Sequence, residues 1–162
     1  MAAQPIVILG GFLITGEAYA PMCRWLFTVG AWGWRRLLDR TAALVDRLVC
    51  LGSPHTALRA TPLRQLVDRR YPGACFADAV AYVSVAGDLA LEDGSATARR
   101  LAPGSYRAIS GSEAVAGDGL VPVGSACLQG SRQLVLSGVA HGGAFGPRWY
   151  GTPEVVAQWW CD

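Results

Sequence analysis

Lysine and asparagine are absent from the 162 residues, so every one of the 14 Lys-or-Arg positions is arginine. That bias reflects coding composition and is not a phosphate-recognition signature, although arginine is the better phosphate fork. Net charge is only +2, and the arginines are scattered apart from pairs such as Arg35-Arg36 and Arg69-Arg70. No strong attraction to nucleic acid or to a membrane surface follows. No apolar run is long enough to span a bilayer. Met1-Ala2-Ala3-Gln4 carries no positive charge and the apolar run after it is short, so a secretory signal is not expected. The compartment implied is the cytoplasm or an organelle interior. Histidine occurs only at His55 and His141. The five cysteines are odd in number and lack C-x-x-C spacing, which excludes a metal constellation and leaves them as core thiols. No cofactor motif is evident: Gly10, Gly11 and Gly16 miss the G-x-G-x-x-G spacing of a dinucleotide site.

Apolar residues make up 52% of the chain, and six tryptophans argue for a packed globule. A length of 162 residues is most simply one domain, residues 1–162. Residues 5–9 read as a buried strand ending in glycines. Tyr19, Met22, Cys23, Leu26 and Phe27 then fall on one helical face. Residues 28–33 break that pattern. A second helix is predicted over Trp34–Asp46, running directly into a buried strand over residues 47–51 and the turn Ser53-Pro54-His55. Thr61-Pro62 opens a helix with Leu63, Leu66 and Val67 as its apolar face, stopped at Tyr71-Pro72-Gly73. Val80–Gly87 is a third strand. Residues 88–116 show no strong pattern and read as a long loop. Leu134-Val135-Leu136 is a last short strand, and Thr152-Pro153-Glu154 starts a closing helix with Val155, Val156, Trp159 and Trp160. Strands alternating with helices predict an α/β fold, a mostly parallel sheet with helices on both faces.

Two positions carry recognisable chemistry. Asp118, in Gly117-Asp118-Gly119-Leu120-Val121-Pro122, is placed to accept from an imidazole N–H and fix its tautomer; the same residues are also ordinary turn chemistry. His141, flanked by small residues in Gly138-Val139-Ala140-His141-Gly142, is accessible as a general base needs to be. Gly10-Gly11-Phe12, after the first strand, can aim backbone N–H groups at an oxyanion. Ser53 and His55 sit at the C-terminal end of a strand, the edge where open α/β sheets bind ligands. Ser53 is the one hydroxyl on that edge, a candidate nucleophile; His55 shapes the pocket wall.

Seven segments occur in a telling order: Pro5–Phe12, Leu48–His55, Tyr71–Ala74, Tyr82–Gly87, Gly117–Val123, Gly138–His141 and Trp149–Glu154. Together they resemble the α/β-hydrolase superfamily, in particular its lipase- or esterase-like branch in photosynthetic organisms. The resemblance covers nearly the whole chain. It implies a carboxylic-ester hydrolase with Asp118 as acid, His141 as base, and Gly11 and Phe12 at the oxyanion hole. The ligand implied is a small apolar or acyl ester. One part is missing: no Gly-x-Ser-x-Gly elbow occurs. Asp46 meets Arg47 where the family carries the nucleophile strand, its elbow and a helix. The expected result is a reduced α/β-hydrolase-like fold in which two strands pair anew or the sheet is split. Three functions fit: an esterase with Ser53 as substitute nucleophile, an inactive hydrolase-derived binder or scaffold, or a truncated product. A homo-oligomer exchanging strands across a new sheet edge is a related expectation.

Overall fold

Short apolar runs bounded by glycine and proline set the strands, and capped segments of longer period set the helices. The computed structural model describes residues 5–6, 32–33 and 46–160. The chain divides into two compact units, residues 1–44 with 151–162, and residues 45–150. In the first unit β1 (Pro5–Ile6) pairs in parallel with β2 (Trp32–Gly33). The remainder of the strand expected over 5–9, and the helices expected around Tyr19–Phe27 and Trp34–Asp46, lie outside the described residues apart from Asp46, which forms a bend.

The second unit is built on a three-stranded sheet. Its elements are β3 (Arg47–Leu51), α1 (Pro62–Arg70), β4 (Ala81–Asp88), α2 (Ala96–Ser110), α3 (Val123–Ala126) and β5 (Arg132–Ser137). The strand order is β3-β4-β5 and both ladders are parallel, giving an α/β unit with its helices in the connections. Beyond the regular ladders, Gly52 N–H donates to Val85 O at 2.8 Å and Gly138 N–H to Asp88 O at 2.7 Å. The strand ends Leu51, Asp88 and Ser137 therefore lie together at one carboxyl edge. The middle strand β4 buries Val83, Ser84, Val85, Ala86 and Gly87 in succession, the continuous apolar run expected of a strand covered on both faces. In the first unit, α4 (Pro153–Trp160) buries Val155, Val156 and Trp159.

Three expectations need correction. Residues 88–116 are not one long loop, because α2 occupies 15 of them. Proline and glycine are the weakest helix formers, yet the helix runs through Pro103 and Gly104. Ser95 caps the start through its hydroxyl, which accepts from Ala98 N–H, and Gly111 ends the helix at φ 86°, where glycine is favoured. Ala98, Ala102 and Tyr106, four apart, are all buried. Their burial offsets the missing N–H of Pro103.

The apolar face expected of α1 is solvent-facing instead. Leu63 is 71% exposed and Leu66 63%, and Val67 is also exposed. Spacing tells which residues share a face, not whether anything covers it. α1 is held by its polar side. Arg64 Nε pairs with Asp68 Oδ1 at 2.6 Å, and another guanidinium N–H donates to His55 O at 2.6 Å. Nor is strand 47–51 fully buried: Arg47 and Leu48 are exposed and Val49, Cys50 and Leu51 half-buried. β3 stands at one end of the β3-β4-β5 order, where it has less cover than β4.

These features separate two kinds of position. Ser95→Ala should lower unfolding free energy by about 1 kcal/mol, the usual worth of an N-cap. Leu66→Gln, on the exposed face of α1, should change it by less than about 0.5 kcal/mol. Urea denaturation of both variants checks the pair.

Candidate functional site

The Gly117–Pro122 segment folds into a tight turn at the carboxyl edge. Asp118 N–H donates to Val121 O at 3.1 Å, and Gly117 bridges Pro122. Asp118 Oδ1 accepts from Leu120 N–H at 3.0 Å and from Val121 N–H at 2.7 Å. Both glycines are required. Gly119 has φ 95°, and a Cβ on Gly117 would lie 2.6 Å from Val121 O. Tyr106 reaches up from α2 and accepts from Gly119 N–H at 2.7 Å. Turn and acid are thus not alternatives: Oδ1 makes the turn, and Oδ2 is left for something else.

His141 takes part of it. The chain leaves β5 through Gly138 at φ 67°. Ala140 N–H then donates to Arg148 O, and His141 N–H to Asp118 O, each at 2.8 Å. The side chain follows, with Nδ1 2.9 Å from Asp118 Oδ2. Tyr150 donates its hydroxyl proton to the same oxygen at 2.8 Å. Asp118 is 1% exposed and receives four donors, two on each oxygen, which fills the acceptor capacity of a carboxylate. Because a carboxylate only accepts, Nδ1 carries a proton, and in the neutral imidazole Nε2 then carries the lone pair. Nε2 has no hydrogen-bond partner among the described residues, on a side chain 13% exposed. Phe145 meets the imidazole edge-on with ring centroids 5.8 Å apart. Leu89, Ala98, Ala140 and Phe145 form the buried cluster beneath.

Gly52 explains why β3 ends where it does. It sits at φ 54°, and a Cβ there would lie 2.6 Å from Asp118 Oδ2 and 2.9 Å from the Tyr150 hydroxyl. Only glycine lets the backbone approach the carboxylate this closely. Ser53 follows it and is half-buried; no hydrogen bond joins it to His141 among the described residues.

His55 lies further along the same loop. Its N–H donates to Ser125 O at 2.8 Å, its carbonyl accepts from Arg64, and its Nε2 is buried without a partner. Burial and, next, the Arg64 charge hold its basicity below the ordinary value, against a smaller opposite pull from Asp68. The residues after it, Thr56, Ala57 and Leu58, wall a mainly apolar groove of about 420 Å³ with Ile109, Pro122 and Ser125. His55 therefore belongs to the loop beside this groove and makes no bond to Asp118 or His141. Gly11 and Phe12 lie outside the described residues.

Asp118 and His141, expected as a couple, are brought together. Gly52 and Tyr150 were not expected. The glycine before Ser53 carried a signal, since a glycine at a strand end marks a close approach or a turn. Tyr150 carried none. Among the described residues no group of three His, Cys, Asp or Glu is placed to hold a metal, and no helix is long and apolar enough to cross a membrane. Comparison with known proteins gave no match to any family model, curated protein or solved structure.

Two predictions follow from the geometry. Gly52→Ala should destabilise by more than about 1–2 kcal/mol, the cost of a left-handed residue alone, since the new methyl also meets the carboxylate; thermal unfolding reads the loss. The second concerns pH. The native state resists protonating His55 and the unfolded chain does not, so stability should fall as pH drops through 6.5. At the other end, burial raises Tyr106 from 10 to about 12. The native state keeps that proton while the unfolded chain loses it, so stability should fall again as pH rises from 10 towards about 12. Urea midpoints across pH check both limbs, and His55→Leu should flatten the acid one.

Proposed function

We propose that this chain is an α/β-hydrolase-like protein that hydrolyses small carboxylic esters, with His141 as general base and Asp118 as the acid that orients it. One observation carries the reading: a buried carboxylate holds the Nδ1–H of His141 and leaves Nε2 with a free lone pair. The couple also stands at the carboxyl edge of a parallel sheet, where α/β proteins place their ligand sites. The seven ordered segments, Asp118 before His141 among them, support the same ancestry.

The chemistry would run through Nε2. As a hydroxyl oxygen attacks the ester carbonyl, its proton passes to Nε2 and the carbonyl electron pair moves onto oxygen. Asp118 keeps Nδ1–H bound and stabilises the imidazolium. The oxyanion then collapses to a carbonyl as the proton goes to the departing alkoxide, which leaves as the alcohol, with the acyl group left on the hydroxyl oxygen. A water, deprotonated by the same Nε2, attacks that acyl carbon, and the proton returns to the hydroxyl oxygen as the carboxylic acid is released. Ser53 is the candidate hydroxyl, because it follows the glycine that abuts Asp118. Gly11 and Phe12 are the candidate oxyanion donors.

The absence of a Ser53–His141 hydrogen bond among the described residues favours a second reading. In it the protein is hydrolase-derived and binds an acyl or other apolar ligand without cleaving it.

Short-chain acyl esters and an active-serine fluorophosphonate probe separate the two. An esterase should turn the ester over, and His141→Ala should slow it about 10²–10⁴-fold, the usual worth of a general base. Ser53→Ala should slow it comparably and abolish probe labelling. Turnover unchanged in Ser53→Ala would remove Ser53 as nucleophile. No turnover in the intact protein would leave the binding reading.

A further inference from the structure

Tyr150 reaches the couple by a separate route. Its hydroxyl accepts from Gly87 N–H at 2.7 Å and donates to Asp118 Oδ2 at 2.8 Å. A phenol has one proton to give, so the Gly87 N–H and the acceptor-only carboxylate fix its direction. Gly87 is itself in the buried run of the central strand, so the hydroxyl is registered to the covered middle of the sheet. The imidazole and phenol rings meet edge-on, with centroids 6.3 Å apart and planes 84° apart. Gly52 lies against another side, since even a methyl there would be 2.9 Å from the hydroxyl.

Oδ2 thus serves two donors at once, Tyr150 and His141. Each takes part of the oxygen's charge, and neither has it all. Tyr106, the other phenol of this region, accepts from Gly119 N–H and makes no hydrogen bond to Asp118 among the described residues.

We propose that Tyr150 is a positioning residue of the couple: its hydroxyl, aimed by Gly87 N–H, fixes Asp118 Oδ2 and limits the charge that oxygen offers to His141 Nδ1–H. The proposal rests on reading His141 and Asp118 as a base couple, and adds a third member whose hydroxyl acts on the imidazole through the carboxylate. A tyrosine retained for packing alone would leave the Nδ1–H bond indifferent to its hydroxyl. Burial, then the neighbouring Asp118 charge, raises the Tyr150 hydroxyl well above the ordinary phenol value, so it remains a donor at neutral pH.

The test is the His141 Nδ1–H proton resonance in ¹⁵N-histidine-labelled protein, compared among the parent, Tyr150→Phe and Asp118→Asn. In Tyr150→Phe, His141 becomes the sole side-chain donor to Oδ2 among the described residues, its bond strengthens, and the resonance should move downfield. 3-Fluorotyrosine at position 150 keeps the hydroxyl, makes it a stronger donor, and should move the resonance upfield; it serves equally where the phenylalanine variant does not fold. Asp118→Asn removes the carboxylate and should shift or abolish the resonance. If Asp118→Asn moves it and neither change at Tyr150 does, the proposal for Tyr150 is wrong and the couple stands. If Asp118→Asn leaves it unmoved, the couple itself fails, and the role of Tyr150 with it.

Discussion

The second unit is organised around a carboxylate taken out of water. Moving such a group into a protein interior costs several kcal/mol even after relaxation, and it is tolerated only where hydrogen bonds replace the lost hydration. Asp118 obtains four, from four different residues: Leu120 and Val121 in its own turn, His141 after β5, and Tyr150 nine residues later. Each donor must be in place for the others to be worth their geometry. The turn glycines, the end of β3 at Gly52, the exit of β5 through Gly138 and the path back to Tyr150 are all consequences of meeting that demand.

The sheet supplies the precision. Gly87, deep in β4, orients the Tyr150 hydroxyl, and the ladder that continues to Gly138 fixes where the chain leaves β5. Parallel strands bring their carboxyl ends to one edge, so three segments distant in sequence converge without any long excursion. Tyr106, held by α2, secures the turn from the other direction through Gly119. The segment from 88 to 116 is therefore part of the support of the site, because its helix carries that tyrosine.

What could be read from the sequence was what depends on local pattern. The pattern at Val80–Gly87 gave a strand, observed as β4, Thr61-Pro62 gave the start of α1, and Gly-Asp-Gly with a later histidine gave the couple. What could not be read depends on tertiary surroundings. Pro103-Gly104 argues locally against a helix, and only the burial of Ala98, Ala102 and Tyr106 overrides it. Leu63, Leu66 and Val67 have the spacing of a core face but lie outside the core, and the helix is tied to the loop before it by another side chain, Arg64, which donates to His55 O. Tyr150 is invisible for a similar reason: a tyrosine among small and aromatic residues has no motif, and its role exists only through Gly87 and Asp118.

A turn by itself would not ask for this arrangement. The turn is satisfied by one oxygen, Oδ1, and a neutral asparagine side chain supplies one oxygen acceptor without bringing a charge indoors. The second oxygen, with its negative charge, does nothing for the turn; its donors are a histidine and a tyrosine. A histidine whose Nδ1–H is fixed has a defined lone pair at Nε2, and here that nitrogen has no other partner among the described residues. In the reading proposed for this chain, such an imidazole takes a proton from outside the couple. The charge is then explained by what it does to His141, because an imidazole that gains a proton at Nε2 needs a negative neighbour already in position. On that reading, the buried charge of Asp118 and the proposed chemistry at the sheet edge have one cause.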